Sequence, residues 1–408
     1  MNCGLLGRKL AHSYSPQIHK YLGNYSYSLY ELEPEDIGVF LKSSPFTALN
    51  VTMPYKKEVI PHCSTLTDAA RRLGAVNTIV RQKDGSLLGH NTDYFGFRST
   101  IRKTGLNLSG KKALVLGSGG ASVTAVSVLT ELGATTITVS RSGENNYNNL
   151  DKHVDATLIV NATPVGMYPN NGLSPISLND FPKLEGVIDL IYNPARTTLL
   201  QQAEKRGIIA ENGLWMLVAQ AKESAEWFTN RQIDDSVILD IYRKLTRMMQ
   251  NIILIGMPGS GKSTVGKLLS QMTGKEFIDT DAYLEQSAGM SIPEIFRNYG
   301  EVQFRKMETR VLDELGKRSG LIIATGGGCV TRDENYPLLH QNGKIFWIQR
   351  DIEALPTDGR PLSQSGKLSD MYAIRKPMYG AFSDFTIDNN RNPEQTAGAI
   401  MRCYESEV

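Results

Sequence analysis

Two glycine-rich loops, each placed after a run of strand-forming residues, constrain the fold of this chain more than any other feature. The first is Gly117–Ser122 (GSGGAS), which follows the apolar run 112–116 (KALVL). The second is Gly256–Ser263 (GMPGSGKS), which follows 251–255 (NIILI). Between a strand and a helix, such loops bring backbone N–H groups close to phosphate oxygens. The first spacing indicates a dinucleotide loop and the second a nucleoside-triphosphate loop. A chain that carries both is expected to combine redox chemistry with phosphoryl transfer.

Length and composition place the chain among multidomain globular proteins. With 408 residues it exceeds one typical domain, and two or three are expected. Strand-like runs alternate with helical patterns almost throughout, which predicts an α/β fold with mainly parallel sheets. The formal net charge of +2 is nearly neutral, so we expect neither a nucleic-acid-binding face nor a membrane-binding patch.

The cysteines and the apolar runs bear on the cellular compartment of the protein. Cys3, Cys63, Cys329 and Cys403 are far apart and no C-x-x-C spacing occurs, so zinc sites and disulfides are not expected. Free thiols fit a reducing cytoplasm. The N-terminal residues lack the apolar stretch of a signal peptide, and no apolar run approaches the ~18 residues of a membrane span.

The second loop is a complete P-loop, G-x-x-x-x-G-K-S, and a helix is predicted to begin near Lys262 and to stop at Gly274. Lys262 would place a cation on the β- and γ-phosphates, and Ser263 would offer a hydroxyl to Mg²⁺. The residues predicted to contact ATP are Met257, Gly259, Ser260, Gly261, Lys262, Ser263 and Thr264.

Two carboxylates follow the next strand-like run, 276–278. Strand alternation would send Asp279 and Asp281 to the same side of the chain. One of them could serve Mg²⁺ through water, and the other could accept a proton from a substrate hydroxyl.

Further polar groups follow along this half. Arg305 and Glu308 are three residues apart on a predicted helix, where they can pair. The pair can be a simple ion pair, or Glu308 can orient Arg305 for ligand binding, and both can be true at once. The glycines Gly326–Gly328 come directly after a buried-type strand and permit close approach of a ligand to the backbone. Arg360 and Arg375 supply cations late in the chain.

In this order, the P-loop, D-x-D, F-R-x-x-E, G-G-G, R-P-L and later Arg resemble shikimate kinase over residues 250–395. The resemblance implies that Asp281 contacts the acceptor hydroxyl and that Asp279 helps to hold Mg²⁺. It also implies that Arg305 and Arg375 clamp the substrate carboxylate, for which the planar guanidinium is suited.

The same resemblance assigns the remaining groups of this half. Gly326, Gly327 and Gly328 would line the substrate site, and Arg360 would lie on a mobile lid and steady the transferring phosphoryl group. The segment 350–359 before R-P-L is short for the family, which predicts altered nucleotide affinity or lid closure.

The first glycine loop has Ser122 where a third glycine is usual, so the motif alone leaves an ordinary loop as an alternative. The strand before it, the helix after it and a second strand at 136–140 favour the dinucleotide interpretation. The predicted cofactor contacts in the loop are Gly117, Gly119, Gly120 and Ala121.

The specificity for NADP(H) is predicted from the end of that second strand. An acidic residue there would bind the ribose of NAD, whereas this chain has Ser140, Arg141 and Ser142. Arg141 would attract a 2′-phosphate, to which both serines could hydrogen-bond. No second arginine lies nearby, so use of both NAD and NADP remains open.

The first 95 residues carry several polar clusters, each of which could be turn chemistry taken singly. Together they resemble shikimate dehydrogenase over residues 1–245. The motifs are S-x-S-P (13–16), N-V-T-x-P-x-K (50–56), G-A-V-N-T (74–78), G-x-N-T-D (89–93), the glycine loop, N-A-T-x-x-G-M (161–167) and M-L-V-A-Q (216–220).

This resemblance implies a substrate site and a catalytic pair. The residues that would bind the substrate are Ser13 and Ser15 on its carboxylate, Thr52, Asn77 and Gln220 on its ring hydroxyls, and Tyr192. Lys56 and Asp93 would form the catalytic pair, because hydride delivery to a ketone creates an alkoxide that must be protonated.

The two resemblances jointly predict a bifunctional enzyme of the shikimate pathway toward aromatic amino acids. It would reduce 3-dehydroshikimate with NADPH and then phosphorylate shikimate to shikimate 3-phosphate with ATP and Mg²⁺. The implied organisation is a substrate domain (1–95, completed by helices in 211–248), a Rossmann NADP-binding domain (96–210) and a P-loop kinase domain (250–408). The junction near 246–251 is short, so a helix is expected to pass directly into a strand. Oligomeric state stays open.

Two rival interpretations are kept. Within the enzymes, the first half could be a quinate-type or NAD-preferring dehydrogenase. Outside them, the chain could be a sensor that binds shikimate without catalysis, whose mark would be loss of Lys56, Asp93, Lys262 or Asp281. All four are present.

Overall fold

The computed structural model describes residues 1–11, 13–355 and 368–406 as an α/β protein with three sheets. The strands are β1 (Asn2–Gly7), β2 (Ser26–Glu31), β3 (Ala48–Val51), β4 (Thr65–Leu66), β5 (Thr78–Arg81), β6 (Leu87–His90), β7 (Lys112–Leu116), β8 (Thr135–Val139), β9 (Leu158–Asn161), β10 (Gly186–Asp189), β11 (Ile209–Asn212), β12 (Asn251–Ile255), β13 (Glu276–Asp279), β14 (Leu321–Ala324), β15 (Gly343–Gln349) and β16 (Phe385–Asp388). The α-helices are α1 (Ser15–Leu22), α2 (Ile37–Ser43), α3 (Asp68–Leu73), α4 (Asp93–Thr104), α5 (Gly120–Glu131), α6 (Thr198–Lys205), α7 (Leu214–Thr229), α8 (Ser236–Met249), α9 (Lys262–Thr273), α10 (Thr280–Ala288), α11 (Ile292–Lys317), α12 (Asn335–His340), α13 (Leu368–Phe382) and α14 (Pro393–Ser406).

The first sheet has the order β2-β1-β3-β5-β6-β4 and is mixed. Strand β1 pairs in parallel with β2 and β3, whereas β5 is antiparallel to both β3 and β6. The antiparallel pair arises because only residues 82–86 connect β5 with β6, and a short turn can join only antiparallel strands. The prediction of mainly parallel sheets therefore does not hold for β5 and its neighbours.

The second sheet, β11-β10-β9-β7-β8, is parallel throughout. Leu116 at the end of β7 is opposite both Val139 of β8 and Asn161 of β9. Strand β8 lies on one side of β7 and β9 on the other, so the strand order reverses at β7. Open α/β sheets bind ligands outside the carboxyl ends of the strands at such a reversal. The first glycine loop, Ser140 and the segment after Asn161 consequently leave the sheet at one edge.

The third sheet, β13-β14-β12-β15-β16, is also parallel throughout. Its central strand β12 is buried along its whole length, which explains the unbroken apolar run 252–255. Leu254 is paired with Ala324 of β14, and Ala324 with Asp279 of β13. The P-loop, Asp279 and the three glycines after β14 therefore start from the same edge.

The chain divides into two compact units. The first comprises residues 1–166, 173–192 and 199–242, and the second comprises 167–172, 193–198 and 243–408. Helix α8 ends at Met249 and β12 begins at Asn251, which confirms the predicted direct passage from helix to strand. Within the described ranges, no helix is both long and apolar enough to cross a membrane.

Candidate active sites

The predicted catalytic pair of the first unit is formed. The ammonium nitrogen of Lys56 lies 2.6 Å from Asp93 Oδ2, and both side chains are only partly exposed. Asp93 is the first residue of α4, where the helix dipole favours a carboxylate. The backbone of Lys56 is fixed because its carbonyl accepts a hydrogen bond from the N–H of Val76. Lys56 follows β3 and Asp93 follows β6, so the two groups meet at the edge of the first sheet where these two strands end.

A network of buried amides and hydroxyls holds the carboxylate of this pair. Asn77 Nδ2 donates to Asp93 Oδ1 at 2.9 Å, and Asn77 Oδ1 accepts from the N–H of Thr92. Thr92 Oγ1 lies 3.3 Å from Gln220 Oε1 and donates to it. The structure thus brings Asn77 and Gln220 to the pair, and Asn77 contacts the Asp93 carboxylate directly, a contact that the sequence did not predict.

The remaining predicted substrate residues of this unit have contacts of their own. Ser13 Oγ accepts from the N–H of Ser15 at 3.2 Å, so the two hydroxyl-bearing residues share one turn. Between them, Tyr14 packs edge-on against Tyr192, with 6.1 Å between ring centres. Thr52 is tied by its N–H to the carbonyl of Leu6 at the end region of β1. The predicted carboxylate-binding serines and Tyr192 therefore lie together.

The first glycine loop has the shape that a phosphate cradle requires. Gly117 has φ +111°, and a side-chain carbon there would lie 3.0 Å from the carbonyl oxygen of Ala162. Side-chain carbons at Gly119 and Gly120 would meet no atom of the described residues within 4 Å, so that face of the loop is open to them. Helix α5 begins at Gly120 and directs its N-terminal N–H groups toward the opening. The site therefore fits a dinucleotide pyrophosphate.

The P-loop of the second unit is ordered around Lys262, the first residue of α9. Its Nζ donates to the carbonyls of Gly256 and Met257, both at 2.9 Å. Ser263 Oγ donates to Asp279 Oδ2 at 2.6 Å. This hydroxyl and carboxylate supply the hard oxygen donors that Mg²⁺ prefers, and such sites are normally completed by phosphates and water. The residues present therefore fit a magnesium nucleotide.

The prediction that strand alternation sends Asp279 and Asp281 to the same side is wrong. Both residues nevertheless lie at the end of β13, at the sheet edge from which the P-loop starts. Asp279 ends β13 and caps α10 by accepting from the N–H of Asp281. Asp281 is helical, so its direction follows from the first turn of α10 and not from a strand. Burial, together with the charges of Asp279 and Glu308, raises the pKa of Asp281 to about 6.

Arg305 and Glu308 pair as their spacing predicts, at 2.8 Å, in the second helical segment of α11 after a break at Gly300. Glu308 is buried, and burial raises its pKa despite the attraction of Arg305. Its second oxygen, Oε1, has no hydrogen-bond partner among the described residues. A side-chain carbon at Gly326 would lie 2.7 Å from both Asp281 Oδ1 and this oxygen.

The glycine turn after β14 joins the two predicted carboxylate-binding arginines. The guanidinium of Arg305 lies against Gly328, where a side-chain carbon would collide with it. Arg375 Nη1 donates to the carbonyl of Gly327 at 3.2 Å, and Tyr379 Oη donates to the same oxygen. Both arginines are buried. Arg360 lies outside the described residues.

Two contributing residues were missed at the sequence level. Tyr379 fixes the glycine turn, and Asn389 donates to the carbonyl of Ser260 in the P-loop. Neither has a distinguishing spacing, since 129 residues separate Asn389 from Ser260. The only signal for Asn389 is its place directly after a strand of the parallel sheet, at the edge where the P-loop begins.

Comparison with known proteins identifies the first part of the chain. Residues 5–79 match the family model of the shikimate dehydrogenase substrate binding domain. A shikimate dehydrogenase (NADP(+)) of Clostridium perfringens is 33% identical over 264 residues, which cover 59% of this chain and 97% of that protein. This chain belongs to the shikimate dehydrogenase family.

Solved structures of the family agree. Shikimate dehydrogenase 1 from Peptoclostridium difficile is 38% identical with a TM-score of 0.55, covering 60% of this chain and 98% of that chain. The Thermus thermophilus enzyme in complex with NADP(H) and shikimate is 31% identical with a TM-score of 0.55, covering 60% and 99%. Residues 258–405 match the shikimate kinase family model, so in this chain a shikimate dehydrogenase part is followed by a shikimate kinase domain.

The contact between Gly328 and Arg305 predicts how the substitution of Gly328 by alanine affects shikimate binding in the kinase reaction. Gly328→Ala should displace the guanidinium and raise the KM for shikimate in the kinase reaction roughly 10- to 100-fold, the range expected for loss of hydrogen bonds to a charged group. The KM for ATP should change less. Steady-state kinetics with each substrate varied in turn measures both.

Gly380→Ala is the matched control, because a side-chain carbon at this exposed position of α13 meets no atom within 4 Å in the part of the chain that the structure describes. If Gly328→Ala leaves the KM for shikimate at the wild-type value, Arg305 does not bind the substrate in the conformation described.

The raised pKa of Asp281 predicts a pH profile for the kinase reaction. The proton-accepting role predicted for Asp281 requires its ionised form, and the pKa of this carboxyl group in the folded protein is about 6. Below that pH, kcat/KM should fall with decreasing pH, approaching about tenfold per unit, and it should level off above it. Initial rates between pH 5 and 8 test this, and a flat profile across pH 6 would contradict it.

Proposed function

We propose that this protein is a bifunctional enzyme that reduces 3-dehydroshikimate to shikimate with NADPH and phosphorylates shikimate with ATP and Mg²⁺. The observation that carries the proposal is that predicted reacting groups come together at two separate places in one chain. One is the Lys56–Asp93 pair at 2.6 Å, and the other is the P-loop with Asp281 and Arg305. Membership of the family and the kinase domain match support the same conclusion.

In the reduction, NADPH supplies the hydride. We propose that Lys56 Nζ donates the proton that the substrate oxygen needs as negative charge develops on it. Asp93 holds the ammonium group in place through its hydrogen bond, and Asn77 fixes Asp93 in turn. Ser13 and Ser15 hold the substrate carboxylate, beside Tyr192, while Thr52 and Gln220 bind ring hydroxyls. Side-chain exposure of 27% leaves Lys56 accessible to a substrate in the cleft.

In the phosphorylation, ATP bound with Mg²⁺ supplies the phosphoryl group. We propose that Asp281 accepts the proton of the attacking hydroxyl, a role supported by its burial and its pKa of about 6. Arg305 and Arg375 bind the substrate carboxylate, and the backbone of Gly326–Gly328 lines the site. Lys262 would leave its present loop carbonyls for phosphate oxygens, and Ser263 with Asp279 would hold the metal.

We further propose the three-part organisation: a substrate domain within 1–95 completed by helices α7 and α8, a Rossmann domain within 96–210 and the kinase domain from 250. Each sheet is formed by one contiguous stretch of chain, which supports this division. The ligands are small molecules, and a cytoplasmic location is part of the proposal.

Arg141 determines cofactor choice in this proposal. It is exposed just beyond the end of β8, beside Ser140 and Ser142. Arg141→Ala should raise the KM for NADPH roughly 10- to 100-fold through loss of charge-assisted hydrogen bonds to the 2′-phosphate, with little change for NADH. The control is Arg102→Ala, an exposed arginine on α4. An equal effect on both cofactors would contradict the assignment.

Initial rates with four substrate pairs test the proposed dehydrogenase activity against its rivals. Shikimate and quinate are each combined with NADP⁺ and with NAD⁺. The proposal predicts the highest kcat/KM with shikimate and NADP⁺. Faster turnover of quinate would favour the hypothesis of a quinate-type dehydrogenase. Binding of shikimate or quinate without turnover of either one would favour a sensor.

A further inference from the structure

Asn389 connects the last strand of the kinase sheet to the P-loop. It follows β16 directly and is buried, with 4% of its surface exposed. Its Nδ2 donates to the carbonyl oxygen of Ser260 at 2.7 Å, and its own N–H donates to the carbonyl of Gln349 at 2.8 Å. The side chain therefore reaches the loop from a backbone that the sheet holds in place.

The orientation of this amide is set by a second residue. Thr396 Oγ1 donates to Asn389 Oδ1 at 2.7 Å. The carbonyl oxygen of Ser260 can only accept, so the NH₂ end of the amide faces it and the Oδ1 end faces the Thr396 hydroxyl, which also lies 3.2 Å from the carbonyl oxygen of Asp388. The pair Thr396–Asn389 thus presents a donor, and not an acceptor, to the loop.

That donor fixes one peptide plane of the P-loop. In a trans peptide the C=O of Ser260 and the N–H of Gly261 point in opposite directions. Because the Ser260 carbonyl is hydrogen-bonded to Asn389, the N–H of Gly261 points away from Asn389 and toward the inside of the P-loop. The space at Gly261 is filled by the amide nitrogen of Asn389, and its φ of +95° also requires glycine.

We propose that Asn389 is a positioning residue for nucleotide binding, which holds the Ser260–Gly261 peptide so that the Gly261 N–H faces the phosphates of ATP. The inference rests on the proposed kinase function. Without the amide, the buried carbonyl loses its partner and the peptide can turn, so the cradle must be rebuilt whenever ATP binds.

The test compares three full-length variants with the wild type: Asn389→Ala, Thr396→Val and Asn251→Ala. The last is the matched control. Asn251 is a fully buried asparagine in the same sheet, bonded to the carbonyl of Arg318 and the N–H of Leu321 at the opposite end of β12 from the P-loop. The measurements are the dissociation constant of ATP with Mg²⁺ by calorimetry, the kinase KM and kcat, the Tm, and the dehydrogenase rate.

Asn389→Ala should weaken ATP binding and raise the KM for ATP roughly tenfold, with a change under about twofold in the KM for shikimate. Thr396→Val should weaken ATP binding by a smaller factor, because the amide is still present but no longer oriented. Asn251→Ala should lower the Tm without this effect on ATP. The dehydrogenase rate should be unchanged in all three.

ATP binding by Asn389→Ala within twofold of the wild type would overturn the proposal, and so would equal weakening in Asn251→Ala. If Asn389→Ala does not fold, unchanged ATP binding in Thr396→Val overturns it. Failure of the proposed function is distinct, because it would appear as wild-type protein that binds ATP but forms no shikimate 3-phosphate.

Discussion

Replacing Lys56 by alanine should lower kcat for the reduction of 3-dehydroshikimate by roughly 10²–10⁴, the contribution of a well-placed general acid. The KM should change much less, because the serines, Thr52, Asn77 and Gln220 that are proposed to bind the substrate remain. The structure gives the reason: Lys56 Nζ is held at 2.6 Å from Asp93 and is only partly exposed, so water is a poor replacement. Spectrophotometric loss of NADPH measures the effect.

Two controls accompany this experiment. Lys57→Ala removes the neighbouring exposed lysine and should leave both activities unchanged. The kinase rate of the Lys56→Ala protein should equal that of the wild type, since the kinase groups lie in the other compact unit. Near-normal turnover of Lys56→Ala with 3-dehydroshikimate would refute the assigned role.

Asp281→Asn should lower the kcat of shikimate phosphorylation by a comparable factor, roughly 10²–10⁴, because an amide cannot accept the hydroxyl proton. The substitution preserves shape and removes a partly buried charge that lies near Asp279 and Glu308. Folding should therefore survive, and ATP binding should be largely retained. A coupled assay for ADP measures the rate.

Asp333→Asn, at an exposed position of the same unit, is the matched control and should behave like the wild type. The dehydrogenase rate again serves as an internal standard for protein quality. The role proposed for Asp281 fails if the asparagine variant retains a substantial fraction of kinase turnover.

The sequence allowed the main architecture and most of the reacting groups to be predicted. The apolar runs 113–116, 252–255 and 321–324 are strands, and the helix after the P-loop begins at Lys262 and is capped by Gly274. These elements depend on local patterns of burial and on glycine, which a single sequence displays. The pairing of Arg305 with Glu308 was likewise predictable, because helical spacing determines it.

Other features depend on contacts between distant parts of the chain. Asp281 was assigned to a strand pattern, but capping by Asp279 starts a helix there. The bond from Asn77 to Asp93 and the bond from Asn389 to Ser260 join residues whose neighbourhood only the sheet order creates. No periodicity marks such contacts, so they became visible only with the fold.

One reaction mixture tests the central claim most directly. Purified full-length protein is incubated with 3-dehydroshikimate, NADPH, ATP and Mg²⁺, and NADPH loss and shikimate 3-phosphate are followed together. A bifunctional enzyme should show NADPH loss and shikimate 3-phosphate formation together. The phosphorylated product should accumulate only as NADPH is consumed, and it should be absent when NADPH is omitted. NADPH loss without shikimate 3-phosphate, or no NADPH loss at all, would contradict it.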